Sequence, residues 1–141
     1  QLIVRDAHLS KKSRQRLNEN AGLDMPFTEV KTEVVLDRIT AQAVPRQLER
    51  VPQGVSFLLD LILNVYELDD EAQLLSYVFR GLDLVQNDYL GGKGTRGSGQ
   101  VKIRIARVGY KTQETYESNK TWQDYTSVAI PSELELRTRK G

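Results

Sequence analysis

The sequence predicts an α+β protein, and three observations carry that expectation. Residues 29–36 alternate apolar and polar side chains with period two. Residues 55–65 place six apolar side chains at alternate positions. A stretch opening at Asp69 repeats its apolar residues at helical spacing.

Taken in order, the chain begins "QLIVRDAHLS", without an initiator Met and already in a strand-like apolar run. That reads as the interior of a longer protein whose N-terminal portion lies ahead of Gln1. Residues 10–26 are polar and loop-like, with room for one short helical turn. "EVKTEVVL" then sets Val30, Thr32, Val34 and Leu36 against Glu29, Lys31 and Glu33, a half-exposed strand. The following "DRITAQAVPRQLERVPQG" holds Pro45 and Pro52, which rule out a long regular helix. It reads as a projecting loop or hairpin carrying Arg38, Arg46 and Arg50.

In "VSFLLDLILNVY", Val55, Phe57, Leu59, Leu61, Leu63 and Val65 share one face, the pattern of a central strand. Asp69 is the expected helix cap, with Asp70 and Glu71 favourable in the first turn. Ala72, Leu75, Val78, Phe79, Leu82 and Val85 make the helix's apolar stripe. A glycine-rich loop follows. "QVKIRIARV" then alternates again, with Val101, Ile103 and Ile105 inward and Lys102 and Arg104 outward. Strand, projecting loop, strand, helix, glycine loop, strand fits half of a ferredoxin-like or RRM-like sandwich. The segment from Gly109 onward is polar, with Trp122 its expected apolar anchor.

Composition narrows the function classes. With 39% hydrophobic and 28% charged residues the chain suits a globular domain, and no apolar run reaches the length of a bilayer span. There is no cysteine, hence no disulfide framework and no thiolate metal site. The cytoplasm is the expected compartment, with no membrane partner. A net charge of +1 conceals strong segregation. From Tyr89 to Gln113 there are six basic residues and no acid, whereas residues 69–88 carry five acids against Arg80. Localised positive charge of this kind points to a polyanion, or to a solvated basic face.

The glycine loop is the most unusual motif. Gly91, Gly92, Gly94, Gly97 and Gly99 are half of the ten glycines in the chain. Residues 92–97 also spell G-x-G-x-x-G. A dinucleotide turn needs a strand before the glycines and a helix after them, and here the order is reversed. No G-K-[ST] closes the loop, so it is not a Walker A motif either. Two readings remain: a connector whose glycines supply positive φ, and a loop whose bare amides approach phosphates beside Lys93 and Arg96.

Catalytic constellations are sparse. His8 has no nucleophile or metal-ligand partner in sequence, and Asp69, Asp70 and Glu71 are better explained by helix capping than by a metal. Asp37 reads as the centre of a local ion pair or a loop-fixing hydrogen bond.

The two unusual segments belong together. "EVKTEVVLDRITAQAVPRQLERVPQGVSF" followed by "LGGKGTRGSGQV" closely resembles the Csm-type backbone subunit of type III-A CRISPR effector complexes, a member of the RAMP superfamily. Glu29, Lys31, Glu33, Asp37, Arg38, Thr40, Ala43, Pro45, Arg46, Glu49, Arg50, Val51, Pro52, Gly54 and Phe57 carry the likeness, with the glycine loop after them. "VRDAHLS" resembles the family too. The likeness covers roughly residues 2–105.

The resemblance implies a modified RRM-like core in a subunit that stacks with its own copies as a filament along crRNA. It also implies target RNA and other Csm-complex subunits as partners, and cleavage of target RNA at regular intervals. Residues 1–108 would be the C-terminal part of a RAMP domain, and residues 109–141 an extension. The thumb hairpin, about 29–54, would wedge into the guide–target duplex through Asp37, Arg38, Thr40, Val44, Pro45, Arg46 and Arg50. Gly91, Gly92, Lys93, Gly94, Thr95, Arg96, Gly97, Gly99 and Lys102 would contact crRNA. Thr95 and Ser98 stand where many relatives carry serine and tyrosine.

The family's ribonuclease needs a divalent metal, Mg2+ above all. Its catalytic aspartate is expected ahead of Gln1, so this stretch is expected to hold no catalytic residue, no cofactor and an open sheet edge. A non-catalytic protein–protein module, with the basic segment merely solvated, is the competing reading.

Overall fold

The computed structural model describes residues 1–19, 25 and 27–135. It is a mixed α and β structure with small antiparallel sheets, as the sequence predicts at the level of class. Two units are distinguished, Gln1–Asn64 and Val65–Gly141.

In the first unit, β1 (Leu2–Val4) pairs antiparallel with β6 (Leu61–Leu63), and β2 (His8–Leu9) pairs with β5 (Phe57–Leu58). The continuous strand expected over residues 55–65 is therefore two short strands with different partners. The register explains the break. Between Val4↔Leu61 and His8↔Leu58, three residues on one side, 5–7, face two on the other, Leu59 and Asp60. One extra residue shifts the pairing and turns the alternating face over, as a bulge does. Asp60 fixes the step: its carbonyl accepts from the Arg5 amide at 3.1 Å and its carboxylate from the Arg5 guanidinium at 3.2 Å.

The polar stretch after β2 forms more helix than the single turn expected. α1 spans Lys11–Glu19, and the Ser10 hydroxyl accepts from the Ser13 amide at 3.2 Å to cap it. Its buried positions are Ser13 and Leu17, one turn apart. Because one of the two is a serine, no apolar period appears in the sequence. The Ser13 hydroxyl accepts from the Ser56 amide at 2.9 Å and ties the helix to the chain entering β5. Part of the expected loop, residues 20–24 and 26, lies outside the described residues.

β3 (Glu29–Leu36) and β4 (Ala43–Arg50) form one hairpin in unbroken register from Glu29↔Arg50 to Leu36↔Ala43. Pro45 is compatible with β4 because a strand in a two-stranded ribbon has a free edge for a residue without an N–H.

In the second unit, α2 spans Glu71–Asn87. Its cap is Asp70, whose carboxylate accepts from the Gln73 amide at 3.0 Å. Asp69, the expected cap, instead accepts from the Tyr66 amide at 3.0 Å and closes the turn before the helix. Phe79 is buried, and Leu75, Val78, Leu82 and Val85 are half-buried beside it, so the predicted stripe is real; Ala72 alone is exposed.

The strand expected after the glycine loop does not form. Its ladder contact is an isolated bridge from Ile105 to Glu135. One side chain and one isolated carbonyl supply the partners that a neighbouring strand would supply. The Gln86 carbonyl oxygen on α2 accepts from the Ile103 amide at 2.9 Å, and the Leu134 carbonyl accepts from Ile105 at 2.8 Å. Val101, Ile103 and Ile105 are half-buried and Lys102 is exposed, as their alternation predicts. Arg104 breaks that pattern: it turns inward and donates to the carbonyls of Ile103 and Glu133.

β7 (Gly109–Tyr110) and β8 (Gln123–Asp124) pair antiparallel around α3 (Gln113–Glu117). Trp122 is 41% exposed and is not the anchor of this region. Leu134, fully buried, takes that role. Leu17, Phe79 and Leu134 are the buried apolar side chains among the described residues, and every sheet there has two strands. No helix of the described residues is long and apolar enough to cross a membrane.

Candidate nucleic-acid interface

The glycine-rich loop is ordered by its own backbone. The Leu90 amide donates to the Gly99 carbonyl at 2.9 Å, which closes residues 91–99 into one loop. Inside it, Gly94–Arg96 make a single 3-10 turn, with Arg96 donating to Lys93 at 3.0 Å and Gly97 to Gly94 at 2.9 Å. Lys93 opens the turn in the left-handed region at φ 62°, which costs about 1–2 kcal/mol for a residue with a Cβ. Two glycines are demanded by close approach. A Cβ on Gly94 would collide with the Tyr89 ring, and one on Gly99 would collide with the Leu90 carbonyl.

Gly92 differs from both. Its φ lies outside the left-handed range, and a Cβ there would meet open space. Nothing inside the loop requires a glycine at that position.

A backbone count shows what the loop offers outward. The amides of Arg96, Gly97 and Ser98 are used within it. Among the described residues, those of Gly91, Gly92, Gly94 and Thr95 donate to no protein acceptor. Gly91, Gly92, Lys93, Thr95, Arg96 and Gly97 are exposed and Gly94 and Gly99 are half-buried. Lys102, beyond the loop, is exposed and makes no ion pair among the described residues. Unclaimed amides beside two cationic side chains form a surface suited to anionic oxygens. The G-x-G-x-x-G spelling has no bearing on this: the turn inside it is 3-10, and no α-helix opens directly after the glycines to receive a pyrophosphate.

The second group of predicted residues lies on the hairpin. The Asp37 carboxylate accepts from the amides of Ile39 at 2.8 Å and Thr40 at 2.9 Å, which fixes the tip. Those amide bonds, Thr40 first, and the Thr40 hydroxyl hold the Asp37 carboxyl below its ordinary range. The loop-fixing role expected for Asp37 is the one it has. Arg38 is exposed and forms no ion pair among the described residues.

The other two arginines are engaged. Arg50 grips Glu29 through two bonds of 2.9 and 3.1 Å, and Arg46 lies 3.8 Å from Glu33. The hydrogen bond from Arg50 lowers the Glu29 pKa below its ordinary value. Val44 and Pro45 lie across from Val35 and Val34, and Val44 is 57% exposed.

The hairpin and the loop belong to different units. The partners of the predicted residues, namely Glu29, Glu33 and Tyr89, are missing from the sequence-derived site. Cross-strand pairing would have found the first two once the hairpin register was known. Tyr89, two residues before the glycines, carries no sequence signal of its contact with Gly94. His8 is exposed in β2. Among the described residues no three His, Cys, Asp or Glu side chains cluster to hold a metal.

No protein-family model matches the chain. Curated relatives do, each described as CRISPR system Cms endoribonuclease Csm3. The Methanocaldococcus jannaschii protein is 32% identical over 143 aligned positions, which take in 99% of this chain and 54% of the relative. The Enterococcus italicus protein is 38% identical over 107 positions, 76% of this chain and 49% of the relative. That of Streptococcus thermophilus is 42% identical over 105 positions, 71% of this chain and 44% of the relative. The chain spans about half the length of the curated relatives it matches.

Proposed function

The chain belongs to the Csm3 endoribonuclease family of CRISPR systems, and from that premise we propose that it serves as a crRNA-binding backbone subunit of a type III-A effector complex. In the intact protein this subunit cuts target RNA at regular intervals. It works in the cytoplasm as one of several copies in a filament, together with other subunits of the complex.

The loop carries the proposal: four amides with no protein acceptor lie beside Lys93 and Arg96, in a relative of named endoribonucleases. A subunit that must hold any guide has no use for base edges. It needs contacts to phosphates and 2′-hydroxyls, which amides and cations make without regard to sequence. Residues 91–99 and Lys102 are that contact.

The β3–β4 hairpin, within residues 29–54, is the thumb. Residues 1–108 are the C-terminal part of a RAMP domain of RRM-like design. Residues 109–141 extend it, and Leu134 from this extension is buried in the unit that carries the loop. Cleavage in the intact protein draws on a divalent metal. The described residues do not form a site for one, and no step of the cleavage is assigned to them.

The test is salt dependence. Lys93→Ala with Arg96→Ala should weaken RNA binding and reduce the slope of log K against log salt by about 1.4 to 1.8, or about 0.7 to 0.9 per lost phosphate contact. Unchanged affinity with an unchanged slope would remove the loop from the RNA interface.

A further inference from the structure

Residues 7–18 hold four basic side chains, Lys11, Lys12, Arg14 and Arg16, and no acid. All four lie on α1, and its packing sorts them. Ser13 and Leu17 are the buried positions, and the Ser13 hydroxyl accepts from the Ser56 amide at 2.9 Å. Arg16 is engaged, donating to the Gln53 carbonyl at 2.9 Å. These two bonds fix α1 to residues 53–56, the stretch that leaves the β3–β4 hairpin for β5. Lys11, Lys12 and Arg14 are exposed, and their side chains make no ion pair or hydrogen bond among the described residues. Glu19, the one acid of the helix, accepts from the Gln15 side chain at 2.9 Å instead.

The helix gains nothing from these three charges where they stand. Lys11 and Lys12 occupy its first turn, where the helix dipole disfavours cations, and no acid offsets them there. Lys11 and Arg14, three residues apart, are neighbours of like charge on the helix surface. Charge placed against local preference points to a partner outside the chain. The surrounding surface tells its kind. The remaining exposed positions of α1 are Gln15, Arg16, Asn18 and Glu19, with no apolar or aromatic side chain. A protein interface is built on an apolar or aromatic core, and stacking on bases requires rings. A face of cations without either suits phosphate oxygens.

We propose that the outer face of α1 is an electrostatic landing site for the phosphates of incoming target RNA, with Lys11, Lys12 and Arg14 as its contacts. This rests on the RNA-binding reading above and adds a site in the other unit, separate from the glycine loop. The target is the strand that fits. The glycine loop is ordered by its own backbone bonds, which suits a strand held throughout. Lys11, Lys12 and Arg14 are long, unpaired side chains whose charge acts at a distance, before contact, and so raises the rate of encounter. In a complex already loaded with guide, the target is the strand that must arrive by diffusion. Because α1 is bonded to residues 53 and 56, RNA captured there is captured at the foot of the hairpin.

The experiment uses the complete protein assembled on guide RNA with the other subunits of the complex. It reads the association rate of a complementary target RNA across a salt series. Lys11→Gln, Lys12→Gln and Arg14→Gln together should slow association about tenfold at about 50 mM salt, and the difference should close towards about 1 M as the charges are screened. Lys11→Arg, Lys12→Arg and Arg14→Lys together keep every charge and should keep the original rate. Guide affinity and the lengths of the cleavage products should not change. The unfolding temperature of the glutamine variant should be equal or higher, because two cations that oppose the helix dipole are gone. An unchanged association rate, or a charge-keeping variant as slow as the neutral one, overturns the proposal. Loss of guide affinity would make α1 a guide contact, and loss of a protein subunit would make it a protein interface; either result overturns it too. If the α1 variants change nothing while Lys93→Ala with Arg96→Ala still weakens RNA binding, the α1 inference fails and the RNA-binding reading stands.

Discussion

The hairpin and the glycine loop both carry arginines and lysines, and the two segments hold their shape by different means. In the hairpin, Arg46 and Arg50 face carboxylates directly across the ladder, so positive charge is consumed in shaping the ribbon. In the loop, order comes from the backbone itself, through the Leu90–Gly99 closure, the 3-10 turn and the Tyr89 ring on Gly94. No acid occurs between Tyr89 and Gln113. A count of basic residues therefore says little about polyanion binding until the partners of each are known.

The contrast can be broken at several points. The largest effect is expected from glycine replacements across residues 44–48. These remove the β4 side chains that face Lys31 through Val35, and backbone freedom rises at each position. If the loop supplies guide binding, that binding should survive while the spacing of target cleavage products is lost. Products of unchanged length and spacing would show that the hairpin takes no part in cleavage.

A smaller and more local effect separates two glycines of the loop. Gly94→Ala must move the Tyr89 ring and should cost about 1–3 kcal/mol in thermal or denaturant unfolding, as overpacking does. Gly92→Ala meets open space and should leave stability unchanged. Its effect, if the amide lies against a phosphate, is on RNA affinity alone, measurable by titration at fixed salt. Equal loss of stability in both variants would contradict the packing described for the loop.

The smallest effect is electrostatic. Asp37 and Glu29 both have folded-state pKa values below their ordinary 3.8 and 4.5. Lowered carboxylate values mean that their contribution is fully present above the ordinary values and fades as pH falls through the lowered ones. Amide resonances of Ile39 and Thr40 should therefore hold their positions down to about pH 5 and shift below about pH 4, ahead of those in the glycine loop. Coincident shifts in both regions would mean that the carboxylate at the tip does not set its order.

Parts of this fold were legible in advance, where a single element supplies its own evidence. β3 was visible from its alternation and the stripe of α2 from its period. The role of Asp37 followed from a short polar side chain next to a turn. What failed were elements whose form depends on a partner elsewhere in the chain. Residues 55–65 alternate like one strand, yet a one-residue mismatch against residues 5–7 splits them, and only the pairing contains that information. Residues 100–108 alternate equally well and form no strand, because the Gln86 side chain and the Leu134 carbonyl stand where a ladder would be. α1 escaped because a buried serine hides its period.

The candidate site divides along the same line. By itself the sequence determined the kinship, the position of the loop and of the hairpin, and the segregation of charge, since these reside in residue identity and order. The tertiary structure decided which groups remain available to a ligand. It spent Arg46 and Arg50 on carboxylates, pinned Gly94 beneath Tyr89, and left Ile39 and the outer loop amides turned to solvent. Availability is a property of what lies across from a residue, and neighbours in space are set by register and packing, which no local stretch of sequence records.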